Sequence, residues 1–419
     1  MTRSTTWHPE SFINLTDYRE VTEVLRRGRE FVLEGTKAES DEFVHDTLIS
    51  IDGRPHLERR RALMKMLTPS QPWGAEGHLL DEVFDDNLRR IRETVPPVDG
   101  AHHFDLIDFC RRIVWRVTAA FVGIDGIDSD EKVSWFLELA APVLNTLVVE
   151  YAPEAERDAI VLRGREAREQ IRREMFLPSI ERRRALLRQA AESGGSTEDL
   201  PADLLMSMLA DAGDGDTDLE PIFREAVALL AASVNNPVSQ AAWSLDDLLD
   251  WLEAHPEGHA HTSEREFLNL AVKESIRLHR SSRPYLVRIA TADTVLESTG
   301  RAVPAGSWVA SWVGAANRDP AVFGADSDSF DPYRAPLDPK VATFGVGFGI
   351  GPHSCLGRPM LLWEQGGEEA QGIQTKLLRF MLRSGIRKDP GGVHELIGVE
   401  GGRRFSRYDV TLPAENTSS

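Results

Sequence analysis

The sequence predicts a mainly α protein with a small β region. Apolar residues recur at spacings of three and four along most of the chain. Between Arg288 and Val313 that period gives way to alternating and β-branched residues punctuated by Gly300, Pro304 and Gly306. Of the 419 residues, 41% are hydrophobic, enough for a large core, and no stretch near the length of a membrane span is free of charge.

The helical period predicts helices over Tyr18–Arg27, Arg59–Leu67, Leu79–Thr94, Phe104–Val122, Asp130–Val149 and Glu154–Met175. After Pro178 it continues through Ser179–Ala191, where the run Arg182–Arg184 reads as a solvated face. Gly194 to Pro201 has loop composition. A long apolar helix follows within Glu220–Leu252, then another over Glu264–Leu278. The short strands about 288–313 come next, then a glycine-rich loop at Gly345–Gly351, a helix at Thr375–Leu382, and strands near the C-terminus. With no repeats and no linker composition, one domain over residues 1–419 is expected.

A net charge of −19 argues against nucleic acid and anionic membranes as partners. The polar start, Met1 to Glu10, lacks the apolar run of a signal peptide, so a cytoplasmic location is expected. Asp214, Asp216, Asp218 and Glu225 fall at calcium-loop spacing, but Leu219 stands where the sharp turn needs glycine, so a solvated loop leading into a helix is the better reading. There are two cysteines. Cys110 sits in an apolar stretch and reads as a buried thiol.

Cys355 lies in a different setting: Phe344-Gly-Val-Gly-Phe348-Gly349-Ile-Gly351-Pro-His353-Ser-Cys355-Leu-Gly357. A thiolate iron ligand needs donors and a helix N-terminus near the sulfur. Glycines let backbone N–H groups curl toward it without Cβ clashes. An aromatic side chain shields it, and a glycine just after it lets a helix lie flat on a porphyrin. A glycine-rich turn with an incidental cysteine would not explain the clustered Phe, His and Cys. A nucleotide loop lacks its Lys-Ser/Thr pair here.

Phe348-Gly-x-Gly-x-His353-x-Cys355-x-Gly357 resembles the haem-binding loop of cytochromes P450. The resemblance implies that family's fold, haem b (iron protoporphyrin IX), Cys355 as proximal iron ligand and His353 at a haem propionate. It extends to Glu274-Ser-Ile-Arg277, similar to the family's Glu-x-x-Arg helix, and to Phe330-Asp-Pro-Tyr-Arg334, whose arginine joins that structural pair. Ala316-Asn-Arg-Asp319-Pro320 resembles the segment just before it. His56 and Arg60, one helical turn apart, and Arg288 match further propionate-binding positions.

The distal helix departs from the family pattern. Where members carry an acid–alcohol pair that relays protons, this chain reads Leu230-Ala-Ala232-Ser233-Val-Asn235-Asn236-Pro237-Val-Ser239. Counting from Trp243 puts Asn235 at the acid and Asn236 at the alcohol, with a few inserted residues near Asp246–Glu253. Counting back from Glu274 puts Val238 and Ser239 there instead. The first register is preferred because Asn236 then resembles an asparagine subset of the family that includes both a hydroxylase and an isomerase. Either register removes the carboxylate, and asparagine cannot ionise to deliver protons. Pro237 is expected to open or kink the helix. Gly366-Gly367 interrupts what the family would make a helix under the haem.

The resemblance therefore implies a monooxygenase acting on a small organic substrate, with electrons from a separate ferredoxin and ferredoxin reductase. Arg59–Arg61 with Arg358 are candidates for the docking face. Isomerisation, dehydration or cyclisation, and peroxide-driven oxidation are the alternative; haem-dependent ligand binding without turnover is a third. By resemblance, Glu30–Ile51 and Ser281–Val287 line the distal pocket, with Ser282, Arg283 and Tyr285 as candidate substrate contacts. The family's bacterial members suggest a specialised-metabolite substrate.

Overall fold

The computed structural model describes all residues except 1–8, 34, 38–39, 68–70, 75–76, 128, 194–199, 213–217, 280–283, 363–371, 399–401 and 415–419. The first part of the chain forms β1 (Ile13–Leu15), α1 (Tyr18–Arg26), β2 (Phe31–Val32), α2 (Asp41–Val44), α3 (Gly53–Met64), α4 (Leu79–Thr94) and β3 (Ala101–Asp105). A helical run follows: α5 (Leu106–Val122), α6 (Asp130–Thr146), α7 (Glu154–Ile171), α8 (Leu177–Ser193), α9 (Leu204–Ala212), α10 (Glu220–Ala232), α11 (Asn235–Ala254) and α12 (Arg265–Leu278). The last part carries β4 (Leu286–Ala290), β5 (Thr294–Val295), β6 (Ala302–Val303), β7 (Trp308–Ser311), α13 (Val313–Ala316) and α14 (Pro320–Phe323). It closes with α15 (Arg358–Leu362), α16 (Ile373–Arg383), β8 (Arg387–Lys388), β9 (His394–Ile397) and β10 (Arg404–Pro413). The protein is thus mainly α with small sheets, and no helix among the described residues is long and apolar enough to cross a membrane.

The chain divides into two compact units. One comprises Leu33–Trp73 with Val114–Val234; the other comprises Pro9–Val32, Gly74–Ile113 and Asn235–Ser419. Within the first, α10 packs on α2, α6 and α9. Glu225 on α10 is buried; its carboxylate accepts the Leu48 N–H at 3.1 Å and the Arg59 guanidinium at 3.3 Å. Arg59 also donates to the Asp46 carbonyl, so one side chain from α3 and one from α10 hold the turn at 45–50. Burial raises the Glu225 carboxyl from its ordinary 4.5 to about 7, against the opposing pull of Arg59.

Within the second unit, a four-stranded sheet has the order β1-β7-β4-β2. β1 runs parallel to β7, with Ile13 opposite Val309, and β4 runs antiparallel to β7, with Arg288 opposite Val309. Leu15, Val21, Val24, Leu25, Val309 and Val346 are among the buried residues that form the core between this sheet and α1. The helices α11, α12 and α16 pack on one another, and α11 also packs on β8 and β10.

Several elements differ from the sequence expectation. The arginine run on α8 is not wholly solvated: Arg183 is buried, bonded to Asp203 at 2.7 Å and Asp125 at 2.7 Å, and these two carboxylates make its burial tolerable. Pro178 falls in the first turn of α8, so the helical period expected after it begins one residue before it. The position four residues back, Glu174, lies in the π-helical turn Arg172–Phe176 joining α7 to α8, where the regular ladder that a proline interrupts is already broken. Phe104 belongs to β3, and α5 starts at Leu106. Most consequentially, the long apolar helix expected after Glu220 is two helices, interrupted at Ser233 and Val234. Asp214 and Asp216 lie outside the described residues, and Glu225 serves the contacts just given.

Candidate functional site

The cysteine loop is shaped by its glycines. Gly345, Gly349 and Gly351 have φ of 58°, 67° and 78°, the left-handed region that other residues avoid. At Gly351 an added Cβ would stand 2.3 Å from the Leu25 carbonyl oxygen, so α1 packs against bare backbone there. The Cys355 N–H donates to the Phe348 carbonyl at 2.7 Å, closing the loop on itself. Phe344 meets Phe348 edge-on at 5.3 Å, and the Arg358 guanidinium lies 5.9 Å from the centre of the Phe344 ring. Cys355 opens onto the surface at the head of α15, whereas Cys110 is fully buried and its thiol is pushed up by desolvation.

The loop is tied to a buried ion cluster by one side chain, Asn317. Its Oδ1 accepts the Val346 N–H at 2.8 Å and its Nδ2 donates to the Arg277 carbonyl at 3.0 Å. Arg277 in turn donates to the Asn317 carbonyl and to the Ser327 carbonyl, each at 2.7 Å. Glu274 accepts a two-pronged bond from Arg277 at 2.7 Å on both oxygens, and Arg334 reaches it at 3.0 Å. Arg334 also pairs with Asp326 at 2.8 Å. Glu274 and Arg277 are 3% and 1% exposed, so each charge depends on the other. Asn317 was visible in the sequence only as part of the Ala316–Pro320 segment; its bridging role depends on a partner 29 residues away.

At the start of α11, Asn235 is half-buried, Asn236 is exposed and Ser239 is 2% exposed. Pro237 explains the interruption: its ring would clash with the Ser233 carbonyl in a continuous helix, whereas in a first turn its missing N–H is harmless. The Ser239 hydroxyl, buried, has no hydrogen-bond partner among the described residues. Gln240 donates to Ser275 on α12 at 3.0 Å. Gln374 on α16 donates to the Pro237 carbonyl at 3.0 Å. Neither glutamine was singled out from the sequence, because nothing in a lone glutamine marks a tertiary contact.

Other expected site residues fall as follows. His56 is buried and Arg60 half-buried on α3. Arg288 is buried on β4 and donates to the Val287 carbonyl at 2.8 Å. His353 is half-buried in the cysteine loop. Tyr285 is buried in an aromatic group, 4.8 Å from Trp312 and 6.3 Å from Phe12. Ser282 and Arg283 lie outside the described residues, as do Gly366 and Gly367. Of the candidate docking arginines, Arg59 is engaged by Asp46 and Glu225 within its own unit, while Arg61 is exposed.

The chain fits a flat, apolar group held through sulfur. Among the described residues, an ideal Cβ on Gly357 would meet one atom within 4 Å, the Cys355 sulfur at 3.9 Å. Phe348, Ile350, Leu356 and Met360 in the same loop segment are only half-buried, leaving apolar surface for such a group to cover.

The cytochrome P450 family model matches residues 4–364. Among curated proteins, the chain is 30% identical over 308 residues to 20-oxo-5-O-mycaminosyltylactone 23-monooxygenase of Streptomyces fradiae, a match over 73% of this chain and 65% of that protein. It is 27% identical over 359 residues to mycinamicin IV hydroxylase/epoxidase of Micromonospora griseorubida, over 83% and 77% respectively. Solved structures sharing the fold include CalO2, with a TM-score of 0.70 and 20% identity over 98% of this chain and 94% of that one. Another is the cytochrome P450 enzyme CYP109B1 from Bacillus subtilis, with a TM-score of 0.69 and 19% identity over 97% and 94%.

Proposed function

Because the chain belongs to the cytochrome P450 family, we propose that it is a haem-dependent monooxygenase acting on a specialised metabolite. The observation that carries this is Cys355, an exposed thiol on a glycine-shaped loop at the head of α15. The names of the two relatives, a monooxygenase and a hydroxylase/epoxidase, support oxygenation over isomerisation or dehydration. The cofactor is haem b, and residues 1–419 act as one haem-binding domain. The protein works in the cytoplasm with a ferredoxin and its NAD(P)H-dependent reductase.

When bound, the haem supplies the iron at which oxygen is activated. Cys355 provides the thiolate ligand, with Phe348 shielding the sulfur. His56, Arg60, Arg288 and His353 hold the two propionates through charge-assisted bonds. Asn235 and Asn236 orient a substrate group or an ordered water but, as amides, do not deliver protons by ionising. Protons therefore come from water or from the substrate itself. Ser239 is held in reserve as the alcohol of the alternative register, and Ser282, Arg283 and Tyr285 contact the substrate.

Turnover of a specialised-metabolite library with NAD(P)H, ferredoxin, reductase and isotopically labelled O2 tests the reading. One labelled oxygen atom should enter each product molecule. Product formed equally well without O2 and reductant would overturn it in favour of isomerisation or dehydration.

A further inference from the structure

The first turn of α11 is a conformation its own sequence disfavours. Asn236 precedes a proline, and a residue in that place is driven away from helical backbone by contact with the proline ring. Pro237 brings no N–H of its own, and the last backbone bond of α10 runs from the Ser233 N–H to the Leu229 carbonyl. Something outside the helix must therefore keep Asn235, Asn236 and Pro237 in helical register.

Gln374 does this. It is 1% exposed and its Nε2 donates to the Pro237 carbonyl at 3.0 Å. A carbonyl only accepts, so the amide orientation is forced: the NH2 faces Pro237 and Oε1 is left without a partner among the described residues. A buried amide oxygen with no donor is unfavourable, so this glutamine sits at a cost in stability that a leucine or methionine would avoid. One turn further on, Gln240 ties α11 to α12 through Ser275, the neighbour of Glu274. The start of α11 is thus held on two sides by side-chain amides.

We propose that Gln374 is a positioning residue, fixing the first turn of α11 so that Asn235 and Asn236 keep their orientation toward the distal haem face. This rests on the monooxygenase reading, in which those asparagines face the bound haem. The C–O stretching band of the ferrous carbon monoxide complex senses polar groups near the bound ligand and does not depend on turnover. Gln374→Met, similar in size but lacking a donor, should shift or split that band while leaving haem content and the red-shifted Soret band intact. Gln374→Glu can donate only when protonated. It should match wild type at low pH and Gln374→Met at high pH, a reversal that a purely structural role would not produce. In an Asn235→Ala/Asn236→Ala background, adding Gln374→Met should leave the band unchanged.

An unaltered band in Gln374→Met, or a shift in Gln374→Glu that is the same at all pH, overturns the proposal alone. A wild-type protein with no red-shifted Soret band overturns the monooxygenase reading and this proposal with it.

Discussion

The cysteine loop and the first turn of α11 are fixed by opposite means. The loop is held by its backbone: three left-handed glycines, a closing bond from the Cys355 N–H, and an α1 carbonyl packed where a side chain would sit. The α11 turn is held by side chains from elsewhere in the chain, with Gln374 reaching it across 137 residues. A backbone-fixed site tolerates little substitution and announces itself in a short motif. A side-chain-fixed site can be retuned one residue at a time and leaves almost no mark on local sequence.

The largest effect is expected from removing the ion cluster that Asn317 ties to the loop. Glu274→Ala leaves Arg277 and Arg334 facing a vacated buried position and should cost about 3–5 kcal/mol, seen as a lower midpoint in denaturant and haem-deficient protein. An unchanged midpoint would mean that the loop stands without the cluster.

A segment in the other unit offers a second case of side-chain control, where Glu225 holds the turn at 45–50. Its carboxyl is raised from 4.5 to about 7, so the folded state keeps the proton more tightly than the unfolded chain. Its contribution is therefore greatest at low pH and is lost as pH rises from about 4.5 through 7. Urea titrations across that window should show wild type losing roughly 3 kcal/mol relative to Glu225→Gln, whose amide oxygen still accepts from Leu48. Parallel pH profiles for the two proteins would contradict the burial argument.

Gly351→Ala tests the backbone side. The left-handed conformation costs a non-glycine residue roughly 1–2 kcal/mol, before the contact with the Leu25 carbonyl is counted. Circular dichroism melts should show that loss together with weakened haem retention. Gly53→Ala is the control, since Gly53 shares the positive φ but its added Cβ meets no atom of the described residues within 4 Å. Equal losses in the two variants would show that backbone strain, not close packing under the loop, is what matters.

The smallest effect is expected at the distal asparagines. Asn235→Asp with Asn236→Thr restores an ionisable relay and should change the ratio of product to NAD(P)H consumed, with stability held within about 0.5 kcal/mol. Identical coupling in both proteins would favour the Ser239 register.

The fold class and the cysteine loop were legible because their signals are local. A 3.6-residue period and a glycine-rich stretch need no knowledge of distant partners. The strands β1 and β2 were not, because two or three residues carry no alternation to read. Pro237 announced a disturbed helix, yet the interruption falls at Ser233 and Val234, since the ring clashes with the carbonyl four residues back. Arg183 in an arginine run reads as solvated until Asp125 and Asp203 are seen to neutralise it. Asn317 and Gln374 are ordinary polar residues whose roles arise only from what the fold brings to them.

Everything proposed for this chain rests on Cys355, and not Cys110, holding a haem iron through its thiolate. Carbon monoxide difference spectra of the reduced protein test it most directly. Wild type and Cys110→Ala should both show the strongly red-shifted Soret band of thiolate ligation, and Cys355→Ala should lose it. A red-shifted band that survives in Cys355→Ala, or disappears in Cys110→Ala, would contradict the account.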